Sequence, residues 1–189
     1  MRRQLLGGLR LLVLLPHPLE RVFGHGQPTH LSIDAHAEYQ AIQRAAQASH
    51  DQPVRLTAIR LTTPTLKRLR AALRLGRSAA PFPIVHVGTA TSADGDRLRL
   101  EDATGGEAWV TADELAAAFS GTGVRLVVLS VCRGERLARA LLQSGVPTVL
   151  TYQGVVSDDE AAFVAGALYV RLAAGDSVQV AMKAVRAEL

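Results

Sequence analysis

Short, continuously apolar runs alternate along this chain with longer segments whose apolar positions recur every three or four residues. The first pattern marks strands buried on both faces of a parallel sheet, and the second marks amphipathic helices. Residues 9–15 read as the first strand and residues 34–48 as a helix capped by Asp34, with Tyr39 and Ile42 on its inner face. Residues 54–59 alternate as a second strand. Thr63-Pro64 opens a helix with proline in its first turn and an apolar stripe of Leu66, Leu69, Leu73 and Leu75. Pro81-Phe82-Pro83 ends that unit, and residues 84–87 form a third strand that stops at Gly88.

The second half repeats the alternation with one interruption. Residues 97–100 and 107–110 flank the turn-rich segment 102–106 and predict a β-hairpin. Thr111 to Glu114 has the spacing of a capping box and opens a helix. Residues 124–131 are the most hydrophobic strand, 135–143 a helix closed by Gly145, and 147–152 a fifth strand. Asp158 starts a long helix to about Ala173, and Ser177 starts the last one, which runs to Leu189. Strands alternating with helices predict a three-layer α/β/α sandwich, with a mainly parallel sheet and a β-hairpin insertion.

Composition narrows the function classes. The chain has 189 residues, enough for one domain, and 48% are hydrophobic while only 4% are aromatic. Few aromatics argue against stacking platforms for single-stranded nucleic acid. The net charge of +4 comes from dispersed arginines, and the cluster Lys67, Arg68, Arg70, Arg74 and Arg77 has the spacing of a solvated helix face. No nucleic-acid partner is expected. No run reaches the roughly 18 apolar residues of a membrane span. The N-terminal run is interrupted by Gly7, Gly8 and Arg10, and Pro16-His17-Pro18 replaces a small-residue cleavage site. No membrane association is expected. With one free cysteine, a reducing cytoplasm is the expected compartment.

That cysteine, Cys132, stands at the end of the most hydrophobic strand. The carboxyl ends of parallel strands are where such sheets present their active residues. One thiol forms no internal disulfide, so two readings stay open: a nucleophile, metal ligand or redox group, or a small buried hydrophobe. A cysteine nucleophile needs a base, usually histidine, and donors for an oxyanion. Adjacent strand ends supply both, so the base is expected just past Gly88. The histidines at 17, 25 and 30 follow the first strand, with spacings that fit no metal motif. His36 and His50 belong to a helix and its end. Asp94, Asp96, Glu101 and Asp102 fit no EF-hand spacing, and Gly121-x-Gly123 precedes a strand and is too short for a phosphate cradle. Neither metal nor cofactor is expected.

Five segments, in order, resemble the CHAT domain, a branch of the caspase-like (clan CD) cysteine peptidases. They are 34–42, with Glu38 near a helix start; His86-Val87-Gly88-Thr89-Ala90-Thr91; Leu129-Ser130-Val131-Cys132-Arg133-Gly134-Glu135; 144–160; and 168–175. The resemblance covers nearly the whole chain and implies a single CHAT domain over 1–189. The helical pattern still running at Leu189 suits a piece of a longer multidomain protein.

The resemblance implies thiol-dependent peptide hydrolysis, with Cys132 at the nucleophile position. The backbone N–H groups of Cys132 and Thr91 would form the oxyanion hole. Gln153, Asp158 and Asp159 lie in the loop that shapes the family's primary substrate pocket; Ser157-Asp158-Asp159-Glu160 also reads as an ordinary helix start. The family's base is the second histidine of His-x-x-x-His-Gly, and that position is Ala90; only the first histidine is kept, as His86. Four residues along a strand span about 13 Å, so His86 is expected too far back to serve, as a core histidine bonded to backbone. An unassisted thiol is only a few per cent thiolate at neutral pH.

The expected function is therefore a degenerate peptidase, a regulatory or protein-interaction module in bacterial signalling or defence. Its partners would be peptides, proteins or fused effector domains. The alternatives are an active cysteine endopeptidase using another histidine, and a flavodoxin-like small-ligand binder.

Overall fold

The computed structural model describes residues 8–17, 35–78 and 82–189. Asp34, His25, His30 and Pro81 lie outside them, as do the side chains of Leu75 and Arg77. The order is β1 (Leu9–Leu14), α1 (Ala35–Ala48), β2 (Leu56–Arg60), α2 (Leu66–Ser78), β3 (Ile84–Gly88), β4 (Arg97–Glu101), β5 (Glu107–Thr111), α3 (Ala112–Phe119), β6 (Leu126–Ser130), α4 (Glu135–Gln143), β7 (Thr148–Thr151), α5 (Asp158–Ala173) and α6 (Val178–Glu188). Five strands form one parallel sheet in the order β2-β1-β3-β6-β7. The expected three-layer architecture is what forms.

Alternation along the strands sorts the core into two halves. Val85, Val87, Val127 and Leu129 face α2, α3 and α4, where Leu69, Leu115, Leu137 and Leu141 meet them. Ile84, Leu126 and Val128 face α1 and α5, against Ile42, Leu168 and Tyr169. Each fully buried leucine contributes roughly 1.5–3 kcal/mol. On α1 the inner face carries Glu38, Ala41, Ile42 and Ala45; Tyr39 sits at its flank, under the Arg60 guanidinium 5.0 Å from the ring centroid.

Most predicted boundaries move by one or two residues. The second helix moves further. It starts at Leu66 instead of Thr63, because Thr63 is held at φ 49° and the Thr65 hydroxyl accepts the Arg68 N–H at 3.1 Å. Pro64 precedes the cap instead of opening the helix. The capping box at Thr111 forms as expected, and a second, Ser157 with Glu160, opens α5.

The β4–β5 hairpin lies across the carboxyl edge of the sheet. An antiparallel bridge joins Thr91 to Leu98, and the Arg99 N–H donates to the Ala90 carbonyl at 3.0 Å. The Thr89 hydroxyl donates to the Arg99 carbonyl at 3.0 Å, Glu101 N–H to the Pro64 carbonyl at 3.2 Å, and His17 N–H to the Glu101 carboxylate at 3.0 Å. The hairpin thus fixes the chain that leaves β3, directly beside Cys132.

Candidate active site

Cys132 follows β6 in a tight turn that leads into α4, and its side chain is half-buried. Arg133 occupies the left-handed region at φ 53°, which costs a non-glycine residue on the order of 1–2 kcal/mol. Neighbouring loops hold it there. The Arg133 N–H donates to the Gly154 carbonyl at 3.1 Å, and its guanidinium donates to the Ala93 carbonyl at 3.1 Å. Gly134 has to be glycine, since a Cβ would collide with the Thr151 hydroxyl. The cysteine turn is therefore clamped between the loop after β3 and the loop after β7.

Two hydrogen bonds define the surroundings of Cys132. The Thr91 hydroxyl donates to the Cys132 carbonyl at 2.7 Å, and the thiol donates to the Val156 carbonyl at 3.9 Å. The first draws the Ala90–Thr91 segment against the cysteine. In the Thr91–Leu98 bridge the hydrogen bonds come from the flanking residues, so the Thr91 N–H points away from the hairpin. Among the described residues no histidine hydrogen-bonds Cys132. Thr91, Ala90 and Cys132 are brought together. Gln153 is exposed beside Gly154, and Asp158 and Asp159 lie in the first turn of α5, where Ser157 and Glu160 form the cap. The Glu160 carboxyl is held below the usual range by the N–H and hydroxyl of Ser157.

His86 lies elsewhere. It pairs in register with Val128, four residues before Cys132, which on an extended chain is about 13 Å away. It is fully buried but not bonded to backbone, contrary to the sequence expectation. Its Nδ1 is 2.9 Å from the Tyr169 hydroxyl and its Nε2 3.1 Å from the Glu38 carboxylate. Burial, then the Glu38 charge, keeps the Tyr169 hydroxyl protonated well above the ordinary tyrosine range. Tyr169 is thus the donor to Nδ1, which leaves Nε2–H to donate to Glu38. The second Glu38 oxygen rests over Gly88, where a Cβ would strike it and would lie 2.6 Å from a Leu15 methyl. That oxygen is buried without a partner.

Glu38 is the residue whose role sequence reasoning missed. Its signal was a carboxylate one turn from Ile42 on a face otherwise apolar. Three further histidines are among the described residues, and His25 and His30 are not. His17 is exposed at the end of β1, with its N–H on Glu101; His36 is exposed beside Gln40; and His50 is exposed in a short 3-10 turn.

Tyr152, which follows β7, belongs to the same polar cluster. Desolvation, with the Glu38 charge second, pushes its hydroxyl far above the ordinary value; Ser130 lies beside it without a hydrogen bond of good geometry. An unfolded tyrosine loses its proton near pH 10. Above that pH the unfolded state gains from ionisation while the folded state does not, so stability is full below pH ~10 and falls as pH rises. Denaturation midpoints from pH 8 to 11 should show this fall, less steep in Tyr152→Phe. Equal slopes in both proteins would contradict it.

The CHAT domain family model matches residues 21–189. This chain belongs to the CHAT-domain family. The match begins after β1, yet β1 lies between β2 and β3, so the CHAT sheet is completed by residues outside the matched span. A comparison with curated proteins gave no match. Membership makes the domain caspase-like and peptidase-related. Among the described residues no group of acidic, histidine and cysteine side chains is arranged to hold a metal ion, and no helix is long and apolar enough to cross a membrane.

Proposed function

We propose that this CHAT domain is a degenerate cysteine peptidase that works as a regulatory or protein-interaction module in bacterial signalling or defence. Its setting would be cytoplasmic, in a single domain covering 1–189 that is associated with effector domains. The observation that carries this reading is the Thr91–Cys132 hydrogen bond. It ties the segment that supplies the family's base to the backbone of Cys132, and the residue at the base position is Ala90. His86, the only other histidine of that motif, is committed to Glu38 and Tyr169. Cys132 keeps the nucleophile's place, and the N–H groups of Thr91 and Cys132 keep the place of an oxyanion hole. Gln153, Asp158 and Asp159 would border the entrance for a partner's side chain.

With no such proton acceptor for the thiol, or donor to the leaving amine, among the described residues, hydrolysis forgoes the ~10²–10⁴-fold that general acid–base help provides. The test compares the parent with Cys132→Ala on a library of fluorogenic peptides, together with labelling by a thiol-reactive peptide probe. The two proteins should cleave at the same background rate. Cleavage by the parent that disappears in Cys132→Ala would refute the proposal.

A further inference from the structure

The sheet has one open edge that is not protected in the usual ways. β7 pairs with β6 on one side, and among the described residues no strand pairs with its other side. In a parallel pair, alternate residues direct their N–H and C=O groups away from the partner, so β7 presents a row of free backbone groups. Exposed edges are normally blunted by lysine, proline or a bulge. The β7 sequence, Thr-Val-Leu-Thr, has none of these. All four residues are half-buried, whereas every residue of β3 and β6 is buried.

A groove of about 810 Å³ follows this edge. α4 forms one wall and α6 the other, on opposite faces of the sheet. Leu142 of α4 is 49% exposed, and Met182 of α6 stands opposite, so both walls offer apolar surface. Tyr152 and Gln153 line it past the carboxyl end of β7, and Leu189, 67% exposed, lines it from the last turn of α6. The shape is that of a missing strand: backbone partners along the floor, with room for apolar side chains alternating to either face. The charge is one-sided. Arg139 and Arg186 line the groove and Lys183 lies beside its α6 wall, against a single acid, Glu135.

We infer that β7 and its groove form a docking site for an extended, apolar, acid-flanked segment of a partner protein, added to the sheet as a sixth strand. Charge argues against a second copy of this chain. Pairing β7 with itself about a two-fold axis would bring the groove's arginines of one copy against those of the other, in an interface with too few acids to offset them. The site does not depend on a reactive Cys132. The two are nevertheless joined, because Gln153 precedes Gly154, whose carbonyl accepts the Arg133 N–H beside Cys132.

The probe is a capped, fluorescein-labelled peptide of four alternating valines and leucines with two glutamates at each end. It should bind the full chain saturably and shift the backbone amide resonances of β7. Binding should be unchanged in Cys132→Ala, which separates this test from that of the peptidase reading. Arg139→Glu with Arg186→Glu should weaken it at least 10-fold. A peptide N-methylated at alternate residues on the edge that meets β7 should lose binding while the protein stays unaltered. Four results would overturn the inference: no saturable binding, equal binding of a lysine-flanked peptide, equal binding of both N-methylated registers, or a dimer with protected β7 amides in the absence of peptide.

Discussion

Histidine at position 90 should raise Cys132-dependent hydrolysis of peptides by about 10²–10⁴-fold, the usual worth of a positioned acid–base group. The backbone there is already held. The Ala90 carbonyl accepts the Arg99 N–H at 3.0 Å, and the next residue, Thr91, is bonded to Cys132 through its hydroxyl at 2.7 Å. Ala90 is half-exposed, so a larger side chain does not have to displace core. Ala90→Gln, similar in bulk but unable to take the thiol proton, should stay at background, as should Ala90→His combined with Cys132→Ala. The family motif has glycine where this chain has Thr91, so Ala90→His with Thr91→Gly is the second variant. A failure of both histidine variants, each folded, to exceed the parent would show that the vacant base is not what silences the site.

The sheet was legible because its strands are buried on both faces and so read as unbroken apolar runs. Residues 84–87 and 124–131 could hardly be anything else, Thr111 announced its helix through a capping box, and the segment Ser157 to Glu160 read as an ordinary helix start. The start of α2 was misread because proline in a first turn is common, and nothing local in Thr63-Pro64-Thr65 shows that Thr63 takes a positive φ. The position of Cys132 at a strand end was legible too. Less so was what surrounds it. The clamp on Arg133 comes from Gly154 and Ala93, which are distant in sequence, and the contact of Thr91 with Cys132 depends on how the hairpin folds over the sheet edge. His86 was correctly placed in the strand, but its partners lie 48 and 83 residues away. Only the packing of α1 and α5 on one face of the sheet brings them together, which is why backbone bonding was the nearer guess.

That cluster should dominate the stability of the domain more than any single leucine. Glu38, His86 and Tyr169 are all at most 1% exposed, and each depends on the next for its hydrogen bonds. Removing the imidazole leaves the Glu38 carboxylate buried with neither oxygen partnered, because its other oxygen already has none. Breaking a buried pair in this way costs about 3–5 kcal/mol, far more than a lost surface ion pair. His86→Leu should therefore lower Tm by about 6–20 °C, at roughly 2–4 °C per kcal/mol for a domain of this size. Converting these three together, as Glu38→Leu, His86→Leu and Tyr169→Phe, leaves none of the three with an orphaned partner, and its cost should be well below the sum of the three single changes. That non-additivity distinguishes a coupled network from ordinary packing loss. If the three costs simply add, the groups act independently, and Glu38 is not held over Gly88 by its bond to His86.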